Sequence, residues 1–187
     1  DKRDLGIQLS GKVNAQIEFA FMVLNGNSQN KTDINRSKDL AGRVIFKPVE
    51  GWSVGGSFYK GFSGNDGKTP QHRMGGEAVY SKEAITAVGE FIFAKDDKVF
   101  PKKLQKGAYA AFLYAWNNQW QSGFRCEYAN RSFEQNSSVP QTRLTFGTNY
   151  FVEKNAKVQV NYVYGKFSKH NLRATTSTIL LNWQVSF

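Results

Sequence analysis

The sequence contains one cysteine, Cys126, four prolines and two histidines in 187 residues. A single cysteine can form no disulfide within the chain, and no Cys/His cluster has the spacing of a metal site. His72 and His170 lie far apart, so neither a metal nor a cofactor is expected. The one continuous apolar run of note, residues 19–24, is far shorter than the about 20 residues that a membrane-spanning helix needs. No positively charged start is followed by an apolar stretch. The chain opens at Asp1-Lys2-Arg3-Asp4, so a leader, if there was one, is expected to have been removed or to lie upstream. No segment carries a helical apolar stripe.

Aromatic residues make up 14% of the chain and glycine is abundant at 17 copies. The length and the low mean hydropathy of −0.51 suit one soluble domain. They also suit a transmembrane β-barrel, in which half of every strand faces water. The net charge is +10, with a pI near 9.7. A basic balance favours polyanions, anionic headgroups or anionic solutes, and composition does not choose among them.

Strand-like runs rich in Val, Ile, Phe, Tyr, Trp and Thr recur with little interruption. Eleven are read, at about 5–11, 14–24, 40–48, 52–60, 73–81, 85–94, 107–116, 120–130, 142–152, 156–167 and 176–187. Most are longer than the usual soluble strand of about 5–6 residues and match a tilted membrane strand of about 9–11. Their residues alternate. Ile179, Leu181, Trp183 and Val185 oppose Leu180, Asn182 and Gln184. Val158, Val160, Tyr162 and Tyr164 oppose Lys157, Gln159 and Asn161. Trp120, Phe124, Cys126 and Tyr128 oppose Gln121, Arg125 and Glu127, and Ile17, Phe19, Phe21 and Val23 oppose Gln16 and Glu18. Trp183, Leu181, Val160, Tyr162, Phe124, Phe19 and Ile17 are thus expected to face lipid. Run 107–116 is apolar on both faces. A soluble sandwich shows the same period with its apolar face inward.

The connections separate the two architectures. Those at 11–13, 49–51, 82–84, 117–119 and 153–155 are short, and alternate with long ones at 25–39, 61–72, 95–106, 131–141 and 168–175. Tight turns on one rim and long loops on the other belong to bacterial outer-membrane barrels. A Greek-key sandwich has no reason to keep that order. Trp52, Trp116, Trp120 and Tyr150 flank short turns while Tyr59 and Tyr164 lie toward long loops, as two interfacial girdles would place them. The terminal Phe187 on an alternating strand resembles the C-terminal signal of outer-membrane barrel proteins. A closed single-chain bacterial barrel has an even strand number with both ends periplasmic, so eleven strands imply further strands upstream.

Several stretches resemble the phosphate-selective porin O and P family. They are Arg3-Asp4-Leu5-Gly6-Ile7-Gln8-Leu9-Ser10-Gly11, Leu24-Asn25-Gly26, and Lys38-Asp39-Leu40-Ala41-Gly42-Arg43-Val44. Pro48, Val54-Gly55-Gly56-Ser57 and Tyr59-Lys60-Gly61 follow in the same kind and order. The likeness is clearest over residues 3–61 and is mostly one of pattern beyond. The resemblance implies a barrel of about 16 strands, usually a homotrimer, of which this chain is the C-terminal part. It also implies a basic lumen that passes phosphate or other small anions. The constriction loop would belong to the missing N-terminal strands, so no binding residue carries over by motif.

Alternation assigns Arg43, Lys47, Arg73, Arg125, Arg143 and Lys157 to the lumen, opposed by Glu18, Glu77, Glu90 and Glu127. Rings of Arg or Lys attract anions, and the Arg fork matches phosphate oxygens. Taken singly, each charge reads better as one partner of a cross-strand pair that solvates the wall. Taken together, the basic excess reads as an anion pathway. Lys31, Arg36, Lys38, Lys68, Lys98, Lys102, Lys103, Lys106 and Arg173 fall in the long connections, where they would recruit anions or touch anionic lipopolysaccharide. Asp96-Asp97 with His72 and His170 supplies the parts of a barrel protease, but nothing sets their geometry. Gly67-Lys68-Thr69 fails as a phosphate loop because Phe62 stands where the motif needs glycine. No recognition helix or stacking motif for nucleic acid is present. The expectation is an outer-membrane β-barrel porin without enzymatic activity. A structural or adhesive barrel without an open pore remains the alternative, with a barrel protease behind it.

Overall fold

Two of the tight connections repeat one piece of local chemistry. In Val13-Asn14-Ala15-Gln16 the Asn14 Oδ1 accepts from the backbone N–H of Gln16 at 2.8 Å and of Ile17 at 2.9 Å. In Trp116-Asn117-Asn118-Gln119 the Asn117 Oδ1 accepts from Gln119 at 2.8 Å and Trp120 at 2.9 Å. An Asn side chain that mimics a backbone acceptor reverses the chain within four residues. The next tight turn uses Gly51 at φ 83°, a left-handed conformation that glycine adopts without a Cβ penalty.

These turns join the strands of a computed structural model that describes residues 5–26, 37–63, 69–96, 103–133, 137–169 and 172–185. The strands are β1 (Gly6–Lys12), β2 (Ile17–Leu24), β3 (Asp39–Phe46), β4 (Trp52–Ser63), β5 (Thr69–Lys82), β6 (Ile85–Asp96), β7 (Lys103–Ala115), β8 (Trp120–Phe133), β9 (Ser137–Glu153), β10 (Ala156–Lys169) and β11 (Leu172–Val185). They form one antiparallel sheet in sequence order, open at β1 and β11. Among the described residues there is no helix. The eleven expected strands are the eleven found.

Their bounds differ from the expectation mainly on the long-connection side, although β2 also starts at Ile17 rather than 14 and β3 ends at Phe46 rather than 48. β5 starts at Thr69 rather than near 73, and β9 runs 17 residues from Ser137. His72, Lys95, Lys106 and Arg173, read as loop residues, therefore lie in strands. Pro70 and Pro140, which lack a ladder donor, sit opposite Phe62 and Asn130. Hydrophobic periodicity reports where a strand is half-buried, and these polar extensions have no apolar stripe to report. Lys47 lies one residue past β3, in the turn. Lys31, Arg36, Lys68, Asp97, Lys98, Lys102, His170 and the terminal Phe187 lie outside the described residues.

The backbone of each strand packs only against the strands beside it. Val139, at 7% exposure, is the one hydrophobic side chain among the described residues that is buried, while Ile179, Leu181 and Trp183 are 74%, 71% and 65% exposed. Neither face is packed against a second layer, so the sandwich alternative has no counterpart among the described residues. The sheet curls instead. A hollow of about 660 Å³ is lined from five successive strands by residues that include Leu113, Arg125, Arg143, Gln159 and Thr178 of the polar face. That face is the concave one.

The register slants steadily. Directly opposite partners lead from Gly11 through Phe19, Val44, Gly56, Gly76, Phe91, Ala108, Tyr128, Thr142 and Lys166 to Thr175. Gly11 is one residue from the end of β1, whereas Thr175 is ten from the end of β11. A drift of about nine residues over ten strand steps is a tilt of roughly 30°, at ~3.3 Å per residue and ~4.8 Å between strands. Strand tilt with a one-way stagger is the geometry that lets a sheet close on itself.

Candidate functional site

Opposite partners in an antiparallel pair project to the same side of the sheet, so the register sorts every strand residue. One face receives Ile17, Phe19, Phe124, Val160, Tyr162, Leu181 and Trp183. The other receives Arg43, Arg73, Arg125, Arg143 and Lys157, together with Glu18, Glu77, Glu90 and Glu127. Lys47, although in a turn, reaches the same side through Glu18.

On the convex face every strand from β4 to β11 carries a run of four to five apolar or small residues at alternate positions. In β4 these are Trp52, Val54, Gly56 and Phe58; in β8, Trp120, Ser122, Phe124, Cys126 and Tyr128; in β11, Val185, Trp183, Leu181 and Ile179. The run slides along the ladder with the strand ends. Trp52 at the end of β4 shares a row with Ile179 in the middle of β11. In a tilted sheet, a run that slides this way stays at one height. Two hydroxyls within it satisfy each other, Ser122 Oγ to Thr148 Oγ1 at 3.1 Å. Aromatic pairs edge it on the short-turn side: Trp52 with Tyr80 at 5.1 Å, Tyr114 with Trp116 at 4.9 Å, and Trp120 with Tyr150 at 4.7 Å between centroids.

The polar face is organised as a belt of opposite charges. Arg43 on β3 donates from Nε to Glu77 Oε1 on β5 at 3.0 Å and from Nη2 to the same oxygen, bypassing β4. Gly55 lies between them, and a Cβ there would meet Glu77 Oε1 at 2.5 Å; only a glycine leaves the crossing open. Glu77 faces Glu90, and Glu90 faces Tyr109. The Arg125 guanidinium stacks 4.0 Å from the Tyr109 ring centroid and reaches Glu127 at 3.0 Å. Arg143 approaches the other oxygen of Glu127 at 3.8 Å. At the turn rim, Lys47 and Lys12 share Glu18 Oε1 at 2.8 and 3.2 Å.

Arg73 and Lys157 are held differently. Arg73 lies 5.0 Å from the Tyr59 ring and Lys157 5.9 Å from the Phe151 ring. Tyr59 in turn donates to Asp39, which also accepts from the Phe62 backbone at 3.0 Å. Asp39, 3% exposed, ties the start of β3 to the far end of β4. The structure therefore brings Arg43, Arg125 and Arg143 into one belt with Glu77 and Glu127, and leaves Arg73, Lys47 and Lys157 apart from it.

Each of these pairs is partly solvated, and such pairs contribute about 0–1 kcal/mol to stability. Their effect is on the field above the wall. Sequence reasoning missed Asp39 and Tyr109, and it placed Tyr59 in an interfacial girdle, whereas Tyr59 faces Arg73 on the concave side. Asp39 carries one signal, an acid at the first position of an alternating run, but its partners are set by register alone. No protein-family model matches the chain, and no curated protein matches it either.

Proposed function

We propose that the chain forms the C-terminal part of a bacterial outer-membrane β-barrel, a porin of the phosphate-selective O and P type, through which small anions diffuse. The observation that carries the membrane reading is the apolar band of constant height on the convex face. Four to five outward residues span about 7–9 positions, which at ~3.3 Å each and the observed slant give a band about 20–26 Å tall. A band of that height with an aromatic edge is what the hydrocarbon core of an outer membrane solvates. Further strands join the free edges of β1 and β11 in this reading, since open edges are not tolerated in lipid. The concave polar face is then the lumen wall.

Anion passage rests on the basic groups of that wall. Arg73 and Lys157 lie over rings, and Arg143 shares Glu127 with Arg125 at a longer distance. The belt itself is close to balanced, so the preference it produces is mild and is strongest in dilute salt, where screening reaches beyond about 10 Å. The paired belt also favours a second reading, a structural barrel whose wall charges only neutralise one another. Planar-bilayer recording on the full-length protein separates the two. Stepwise conductance with an anion-directed reversal potential under a potassium chloride gradient is expected. A folded, inserted protein without conductance would establish the structural barrel, and a cation preference would remove the anion assignment.

A further inference from the structure

The hollow on the concave face holds more than the charge belt explains. Its volume of about 660 Å³ falls within the range of about 300–1,000 Å³ usual for small-molecule sites. On its floor Gly123 of β8 and Gly147 of β9 stand directly opposite each other. Leu113 faces Gly123 from one side, and Asn161 faces Gly147 from the other. A Cβ on Gly123 would meet Leu113 Cδ2 at 2.7 Å, and one on Gly147 would collide with Asn161 Oδ1. The two glycines thus let a leucine and an amide lie flat across the floor. Toward the long-connection rim the hollow is lined by Arg125, Glu127 and Arg143, its charged residues. Two guanidiniums around one carboxylate leave one unit of positive charge. Toward the short-turn rim Asn149 stands between Gln121 and Gln159 in the ladder. Asn149 is 7% exposed, and its Nδ2 donates to Gln121 Oε1 at 2.8 Å. Its Oδ1 is buried with no donor among the described residues, a state in which buried polar atoms are seldom left. Thr145 and Thr178 add hydroxyls to the lining, and Val163 adds apolar surface.

A bare inorganic anion engages the guanidinium end of this hollow and leaves the amides idle. A neutral sugar engages the amides and leaves the positive charge unmatched. Amide side chains donate and accept at once, as sugar hydroxyls do, and the single surplus charge suits a single carboxylate. We propose that the hollow is a subsite for sugar acids, polyhydroxylated rings that carry one carboxylate, such as hexuronates. The carboxylate sits beside Arg125 and Arg143, whose planar forks match its two oxygens. The ring hydroxyls meet Asn149, Gln159 and Asn161, one of them donating to Asn149 Oδ1, and the C–H face of the ring lies against Leu113 and Val163. Arg125 and Gln121 are four residues apart on β8, roughly 13 Å at ~3.3 Å per residue, a span that one ring covers with a side chain reaching in from each end. The proposal deepens the porin reading: it rests on the concave face being the wall that a solute passes, and it names the solute class.

The test uses the full-length protein folded in detergent, with the folded state of every variant established by the gel-mobility shift between unheated and boiled samples. Titration calorimetry then compares glucuronate, glucose, acetate and inorganic phosphate on the wild type. Glucuronate is expected to bind at least about tenfold more tightly than the other three, through hydrogen bonds that none of them makes in full. Its affinity should fall as potassium chloride is added, because the guanidinium end is screened. Gln159→Ala with Asn161→Ala should weaken glucuronate about tenfold, the loss of two hydrogen bonds, and leave acetate unaffected. Arg125→Gln with Arg143→Gln should bring glucuronate down to the level of glucose. Ser53→Ala, on the concave face of β4, should change nothing. Equal affinity for acetate or phosphate, equal affinity for glucose, or indifference to the amide variants would each overturn the proposal. Conductance in potassium chloride is recorded in parallel on the same protein inserted into planar bilayers. A protein that conducts without binding glucuronate overturns the subsite and keeps the porin reading, and one that binds without conducting does the reverse.

Discussion

The two faces of this sheet are built from the same strands and obey opposite rules. The convex face is chemically monotonous: Phe91, Phe146, Leu181 and Trp183 stand exposed with no second layer over them, and neighbours interact mainly through shape. The concave face is specific, because Arg43 needs Glu77 two strands away and needs Gly55 to be empty between them. The difference teaches where each kind of information sits. A face solvated by lipid, as proposed for the convex one, would tolerate any apolar residue at a given height. A face that orders charges in water depends on which strand lies opposite which.

Four measurements break or sharpen that contrast. The largest effect is expected on the convex face. Leu181→Arg places a charge in the middle of the apolar band and should cost about 2–4 kcal/mol, whereas Asn182→Arg, one residue away on the concave face, should cost far less. Refolding titrations into lipid vesicles compare the two, and equal tolerance would mean the faces are misassigned. Next comes Asp39, the one buried carboxylate of the concave face among the described residues. Asp39→Ala removes the acceptor of the Phe62 amide and of the Tyr59 hydroxyl and should cost about 1–3 kcal/mol. Faster amide exchange at Phe62 should accompany the loss, and an unchanged rate would detach Asp39 from the β3–β4 contact.

A smaller loss is expected at the aromatic edge. Trp120→Ala removes the pair with Tyr150 and should cost about 0.5–1.5 kcal/mol beyond the lost area, read from the same titrations; no change would remove the girdle. The smallest energies belong to the belt, yet they are visible in selectivity. A charge about 10 Å from a permeating ion in water is worth roughly 0.4 kcal/mol, close to a twofold change in permeability ratio. Glu127→Gln, which releases Arg125 and Arg143, should shift reversal potentials toward anions by about that factor. Arg125→Gln with Arg143→Gln should shift them the other way. If neither the single nor the double variant moves the potential at low salt, the belt does not face the ion path.

The eleven strands, their antiparallel order and the division into two faces were legible in the residues, because alternation at period two and short turn signals are local properties. Ile17, Phe124 and Leu181 could be placed on one side, and Arg43, Arg125 and Lys157 on the other, without knowing any neighbour. Strand ends were less legible. Thr69, Pro70 and His72 carry no apolar stripe, and only ladder partners in β4 and β6 hold them extended. The candidate site was legible as a list of charged residues and illegible as a belt.

The sequence by itself determined that this chain makes long, two-sided strands, since side-chain alternation is written residue by residue and a slip of one would turn every apolar group to the wrong face. Tertiary structure alone decided the slant of the ladder, the curl toward the polar face, and the choice of Glu77 for Arg43 and of Glu127 for Arg125 and Arg143. Those features depend on stagger accumulated over many turns, and no single turn contains it. The physical reason is one of range: a side chain's face is set by its own backbone, while its partner is set by the register of every strand between them.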